Sequence, residues 1–360
     1  MEQHGIGSLA ADGTPDHRAA RQPRSFLRSR LLAGCRSPAL LAALVAASGC
    51  VALGAGGAQA QTWSPVRTVT IVVPTAPGGA NDAMARIIAQ GMAPRLGQAV
   101  IVDNKAGGNG AIAAEFVARA QPDGHTILFG YIATHGMNPA LQKLRYDPVA
   151  DFEPIGMVAN SPTLMVATPS LPVKTAADVV ALAKTRGGAL SYASAGKGTA
   201  PHFAGELFKI ATGVDLLHVP YKGSAPAVVD TMAGTTQIMF PSLFTAYPQV
   251  KGGKLRAIGL AGNKRSAVLP DVPTLAEQGI ANVTIDQWYA LFAPARTPRP
   301  VVTRLNRELN AVLGDVSNQK HIADQGAEVE TSTPEQLKTL VQREIARWRT
   351  VVNTAHITPD

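Results

Sequence analysis

Residues 70–90 read TIVVPTAPGGANDAMARIIAQ. The β-branched run up to Pro74 predicts a strand, and Met84, Ile87, Ile88, Gly91 and Met92 recur at helical spacing, so a helix is expected to end before Gly97. Between the two lies PTAPGGAND, residues 74–82, with two prolines, two adjacent glycines and otherwise small side chains. A strand-to-helix turn with so little side chain lets backbone come close to whatever it faces.

The same alternation continues outward from this unit. AVIVDN (99–104) precedes a small-residue helix around Ile112–Ala120, and TILFGY (126–131), PIGMVAN (154–160) and LMVATP (164–169) read as further strands. Then come a helix near Ala176–Thr185, LSYAS (190–194), a helix after Thr199, LLHVPY (216–221) and a helix after Gly223. TQIMF (236–240), LRAIGLAG (255–262) and WYALFAP (288–294) are strands, and helices are expected near Pro300–Leu313 and Pro334–Val352. Short, nearly continuous apolar strands alternating with amphipathic helices predict an α/β fold with largely parallel sheets. Leu337, Leu340, Val341, Ile345 and Trp348 form one stripe of the last helix, which is expected to pack on a lobe as a closing strap.

The first sixty residues have a different character. Arg18, Arg21, Arg24, Arg28, Arg30 and Arg36 precede the apolar run ALLAALVAASGCVALGAGG (39–57) and AQAQ (58–61). Basic, apolar and small-x-small regions in this order describe a secretory signal peptide over residues 1–60, cut before Gln61, which implies export to the periplasm. The basic region is long enough to suggest a start downstream of Met1, and AASGC offers an alternative reading as a lipoprotein signal at Cys50, though with Ala47 where a leucine is usual. Cleavage removes both cysteines, Cys35 and Cys50, so no disulfide or thiolate metal site is expected in the mature chain. It also removes six basic and three acidic residues, lowering the net charge from +8 to +5. The remaining excess is dispersed, which argues against nucleic acid as a partner. About 300 residues exceed what one compact core usually holds and suggest two lobes.

Motifs for nucleotide or catalytic chemistry are weak. Gly108, Gly110 and Ala113 fit the loose dinucleotide pattern, but the acidic residue expected about twenty positions on is missing. GKGT at Gly196–Thr199 lacks phosphate-loop spacing, and neither G-x-S-x-G nor H-E-x-x-H occurs. His125, His135, His202, His218, His321 and His356 are scattered without ligand spacing, although His135 and His202 lie beside candidate site loops. No catalytic residue, metal or cofactor is expected. What recurs is a set of turns rich in small polar residues: PTAPGGAND, YIATHGMN (131–138), ANSPT (159–163), SAGKGTAPH (194–202) and FPSLFTA (240–246). All are read as strand-to-helix turns at the carboxyl ends of strands, where open α/β sheets bind ligands and helix starts offer unpaired N–H groups to an anion. Thr199 is placed to cap a helix with Pro201 in its first turn. Asp82 and Arg86, four apart, read as helix support, and Lys222 reads as solvated. Trp288 and Tyr289 read as core, with an aromatic wall for a cleft as the other possibility.

VPTAPGGANDAMARIIA, VDNKAGGNGAIAAEFVARAQPDGHTILFG, SAGKGTAPHFAGELFKIATGVDLLHVPYKGSAPAVVD, LPDVPTLAEQGI and WYALFAPARTPRPVVTRLN together resemble the Bug family. These are periplasmic solute-binding receptors of tripartite tricarboxylate transporters, and the resemblance spans essentially all of residues 61–357. It implies a periplasmic-binding-protein-like fold, two α/β lobes with a ligand cleft between them and two crossing segments. Lobe 1 would hold 61–161 plus 286–360, and lobe 2 162–285. It further implies a non-enzymatic, monomeric receptor that closes on a small carboxylate (dicarboxylate, acidic amino acid, or aromatic or heterocyclic acid) and delivers it to membrane permease subunits. One carboxylate would be held by main-chain N–H groups and waters at Thr75–Asn81, and the distal end by Ala195–Thr199. The binding set implied is Thr75, Ala76, Gly78, Gly79, Asn81, Thr134, Ser161, Ala195, Gly196, Thr199, Pro241 and Ser242. Two departures bear on ligand identity: Pro241 stands where the family often has aspartate, and Ala80-Asn81 where Pro-Thr or Pro-Ser is usual. The rival readings are a hydrolase or isomerase on the same fold, which lacks a visible nucleophile and base, and a ligand sensor acting through a membrane protein.

Overall fold

The computed structural model describes residues 63–186, 189–355 and 357; the expected signal peptide, its cleavage site and Cys50 lie outside the described residues. In chain order the elements begin β1 (Val69–Val73), α1 (Ala80–Leu96), β2 (Val100–Asn104), α2 (Ala111–Ala118), β3 (Thr126–Tyr131), α3 (Asn138–Leu141) and β4 (Phe152–Ala167). There follow α4 (Ala176–Arg186), β5 (Ser191–Ser194), α5 (Ala200–Thr212), β6 (Leu217–Pro220), α6 (Ser224–Ala233), β7 (Ile238–Met239), α7 (Leu243–Lys251) and β8 (Arg256–Ala261). The chain closes with β9 (Asp286–Pro294), α8 (Arg299–Leu313), α9 (Val316–Ala323), β10 (Glu328–Val329) and α10 (Pro334–Ala355).

The strand order is β2-β1-β3-β9-β4-β7-β5-β6, with β8 and β10 also paired to β4. Two parallel triplets stand at the ends, β2-β1-β3 and β6-β5-β7, each a βαβαβ unit with its first strand in the middle. Their first strands are almost wholly buried, with Ile71, Val72 and Val73 in one lobe and Tyr192 and Ala193 in the other fully covered. This doubling puts the turn after β1 and the turn after β5 at equivalent places in the two lobes.

The strands between the triplets are antiparallel, contrary to the largely parallel pairing expected from their apolar runs. A strand buried on both faces has the same composition in either direction, so composition alone does not set polarity. The two strands expected at 154–160 and 164–169 are one, and ANSPT is not a strand-to-helix turn but the interior of β4. Local turn chemistry is overridden there by pairing with β9 through Pro162 and with β8 from Thr163 onward. Beside that change of partner, the Thr163 N–H donates to Ile285 O (3.1 Å) and the Ile285 N–H to Ala261 O (2.7 Å). The chain thus crosses between the lobes along two adjacent extended segments.

Helix α10 buries Leu337, Val341, Ile345 and Trp348, the stripe its spacing predicts, with Leu340 half-buried. Trp348 packs edge-on against Phe203 of α5, ring centroids 5.2 Å apart. Its indole N–H and that of Trp288 both donate to Glu344 Oε2, at 3.0 and 3.3 Å. Trp288 is therefore tied into the core through α10.

Candidate functional site

The turn after β1 is held from below. Gly78 has φ +88, a conformation that favours glycine, and its N–H donates to Asp82 Oδ2 at 3.0 Å. Arg86 grips the same carboxylate at 2.9 Å. Burial pushes the Asp82 carboxyl up, but Arg86, the Gly78 N–H and Asn104 outweigh it and hold the group below its ordinary value. Gly79, the residue preceding α1, has φ −89, so the turn's need for glycine conformation lies at Gly78. The N–H groups of Ala80 and Asn81 begin the helix, have no carbonyl four residues back within it, and sit at the positive end of its dipole. Thr75 Oγ1 and Asn81 Nδ2 are buried with no hydrogen-bond partner among the described residues, and Asn81 as a whole is only 6% exposed. Buried polar groups are ordinarily paired, so these two mark a place where something polar belongs.

The turn after β5 is held in the same manner. Gly196 (φ +125) donates its N–H to Ser194 Oγ at 3.1 Å, and Ser194 Oγ lies 2.7 Å from His218 Nε2. Gly198 (φ +77) donates its N–H to His202 Nδ1 at 3.2 Å. Burial, and next to it His202, push His218 down to about 4, so it is neutral. Thr199 occupies the capping position of α5 as expected, with Pro201 in the first turn, but its hydroxyl makes no cap bond. It donates backward to Gly196 O at 2.5 Å, tightening the turn instead.

The two turns meet. The Ala76 N–H donates to Lys222 O (3.3 Å), and Gly223 (φ +134) is so close that an added Cβ would stand 3.2 Å from Ala76 N and 3.5 Å from Thr75 Cβ. Asn109, with φ +56, reaches across from the Gly107–Gly110 loop to Gly196 and Gly198. Two cavities lie along this seam. A small pocket of about 20 Å³ is lined by Thr75, Gly79, Ala80 and Asn81, by Ala195, Thr199, Pro201, Ser224 and Ser242, and by Tyr131, Gln287 and Tyr289. A wider one of about 420 Å³ shares Thr75, Tyr131 and Ala195 and adds Gly107–Gly110, Gln142, Gly196, Lys197 and Tyr221–Gly223. Among the described residues neither lining contains an aspartate or glutamate, and the wider one carries Lys197 and Lys222. Burial pushes the Tyr131 and Tyr289 hydroxyls far up, so both stay neutral. The chemistry offered is donor-rich, acid-free and suited to an anion. A surface groove of about 730 Å³ beside Lys143, Arg145 and Arg349 touches neither turn and includes Asp147 and Asp151.

Of the residues expected to bind, Thr75, Gly79, Asn81, Ala195, Thr199 and Ser242 line the small pocket, and Thr75, Ala195 and Gly196 the wider one. Ala76 and Gly78 shape the turn but spend their N–H groups on Lys222 O and Asp82. Thr134, fully buried, spends its hydroxyl on the Tyr131 backbone (3.1 Å) and His135 (2.9 Å). Ser161 Oγ accepts from Phe244 N at the start of α7 (3.1 Å), and Pro241 O accepts from Leu164 N (2.9 Å). These three support the site from behind rather than line either cavity. His135, stacked 3.8 Å from Phe292 and pushed down to about 3 by burial, belongs to the core. Sequence reasoning missed Tyr131, Asn109, Gln142, Ser224 and Gln287 as lining residues. For Trp288 and Tyr289 strand alternation was the available signal: neighbours on a strand face opposite ways, and only Tyr289 faces the pocket.

Two kinds of kinship accompany this geometry. A sequence profile described as "Tripartite tricarboxylate transporter family receptor" matches residues 84–357. The solved periplasmic binding protein BugD is 37% identical, with a TM-score of 0.79 over 82% of this chain and 99% of its own. The R. palustris protein Rpa4515, solved with adipate, has the same identity, TM-score and coverage. MatC from Rhodopseudomonas palustris, solved with bound malate, is 37% identical with a TM-score of 0.77, over 80% of this chain and 99% of its own.

Proposed function

This chain belongs to the tripartite tricarboxylate transporter receptor family, among the Bug receptors, and from that premise we propose that it captures a small carboxylate between its lobes in the periplasm and hands it to the membrane permease. The observation that carries the reading is the unpartnered pair Thr75 Oγ1 and Asn81 Nδ2 beside the open N–H groups of α1, facing an acid-free pocket. A carboxylate there would accept several charge-assisted hydrogen bonds at once, in a site needing no basic side chain. The adipate and malate held by two structural relatives support the same class of ligand. The lobes are taken to divide at Ser161/Pro162 and Ile285/Asp286, where the crossing segments run side by side.

Binding without turnover is part of the proposal. Among the described residues no aspartate, glutamate, histidine or cysteine lines either cavity, so a bound acid meets no general base or nucleophile of those kinds. Among the described residues no cluster suited to a metal ion is present. The receptor is taken to act as a monomer, exported by the cleaved leader. Native mass spectrometry of protein purified from periplasm tests the reading, with retained mass equal to one small organic acid expected and unaltered by chelator. Retention of a neutral or cationic metabolite, or of nothing across a panel of added acids, overturns it.

A further inference from the structure

The two lobes anchor their turns by one device built from different chemistry. In each, a glycine of positive φ donates its N–H to the side chain four residues on, the third residue of the helix that follows: Gly78 to Asp82 at 3.0 Å and Gly198 to His202 at 3.2 Å. It resembles a capping box displaced by one residue. The difference is in the acceptor. Asp82 remains a carboxylate clamped by Arg86, whereas His202 accepts only through an unprotonated Nδ1, with its proton on Nε2. Adding a proton there sets N–H against N–H and puts a positive charge at the start of α5, where the helix dipole opposes it. We propose that His202 is a positioning residue of the ligand site, holding the second-lobe turn only while neutral and so making affinity fall with acid.

The surroundings of the ring fit this role. His202 is 5% exposed, and the His218 ring from β6 lies 4.5 Å away, itself bonded through Ser194 to the Gly196 N–H. Phe203 packs edge-on at 6.0 Å, and Lys197 on the turn with Lys209 and Glu206 on α5 are charges that act on the neighbouring His218. Lys197 and Lys209 repel a protonated ring, while Glu206 is engaged with the Tyr192 hydroxyl (2.5 Å) and Lys209 (3.3 Å). Gly196 and Gly198 carry no side chain to anchor them, so Ser194, His202 and the Thr199 hydroxyl fix the turn against Asn109 and Asn138 of the first lobe. Releasing Gly198 loosens the surface on which that lobe closes.

Two measurements on the mature receptor decide this. Long-range proton–nitrogen correlation should find Nδ1 of His202 unprotonated at pH 8, and the Gly198 amide resonance should move together with His202 as the solution is acidified from pH 8 until the ring takes up its proton. An Nδ1–H tautomer at pH 8, or a Gly198 amide indifferent to His202, overturns the proposal whatever the ligand proves to be. The second measurement, which rests on the carboxylate reading, uses calorimetry with adipate as probe, comparing wild type with His202→Asn, whose amide oxygen replaces Nδ1 without titrating. Wild-type affinity should drop about tenfold more than the variant's over the same acidification, the worth of about one hydrogen bond. Equal drops in both proteins count against the proposal, because the titration of adipate itself is common to them. Absence of binding at pH 8 by adipate and by the whole panel of acids tells against the carboxylate reading, with the resonance test still deciding this one.

Discussion

Gly198→Ala separates the cost of folding from the cost of closing. At φ +77 alanine adopts a left-handed conformation at a cost of about 1–2 kcal/mol, which lowers stability whether or not the lobes are together. The new Cβ also collides with Asn138 Oδ1 and stands 3.3 Å from Asn109 Nδ2 and from Leu141 Cδ2. On the proposed division of the lobes all three belong to the first, so this clash is expected only when the lobes are closed. Overpacking of this kind costs about 1–3 kcal/mol, which corresponds to a loss of affinity of roughly five- to 150-fold. Calorimetry gives the affinity and urea unfolding without ligand gives the stability. Asn138→Ala removes the colliding oxygen, so Gly198→Ala/Asn138→Ala should bind more tightly than the sum of the single effects allows. Unchanged affinity in Gly198→Ala, or strictly additive effects in the double variant, refutes the idea that these glycines form the closing surface.

Asn81→Ala removes a buried amide nitrogen with no partner among the described residues, so affinity for the acid should fall about tenfold while the melting temperature holds or rises; a destabilised variant with intact affinity contradicts this. Lys197→Ala and Lys222→Ala remove half-buried and exposed charges at the rim of the wider cavity, and each should weaken binding less than about fivefold, by titration calorimetry; loss of binding in either shows that a side-chain ion pair holds the ligand. Asp82 has a lowered carboxyl value in the folded protein, so its stabilisation is present above the unfolded carboxylate range and is lost as pH falls through the folded value. Asp82→Asn should therefore be less stable than wild type in urea at pH 7, with the gap narrowing as pH falls below the ordinary carboxylate range; a gap that does not narrow in acid removes the ionic part of the account.

Much of the fold is written locally. Pro74, Gly78 and the helical spacing of Met84, Ile88 and Met92 define the first unit, and the same grammar in LSYASAGKGTAPHF defines its counterpart in the second lobe. What escaped local reading depends on partners far along the chain. In ANSPT, Asn160, Ser161 and Pro162 favour a turn on their own, and only β9 and β10 alongside keep them extended. The site was legible to the extent that both glycine turns line the cavities. The occupation of the Gly78, Gly196 and Gly198 amides by Asp82, Ser194 and His202 was not, because spacing shows which groups are near but not which bond they choose. Asn109 was hidden for another reason: its role exists only against Gly196 and Gly198, far along the chain.

The claim that a carboxylate sits on the first turn is tested most directly by amide resonances during titration with adipate and, separately, with its dimethyl ester. Binding of the diacid should shift the Ala80 and Asn81 N–H resonances strongly downfield and saturably, and the ester should leave them in place. Ester binding with the same shifts, or diacid binding that moves only resonances around Lys197 and Lys222, contradicts the account.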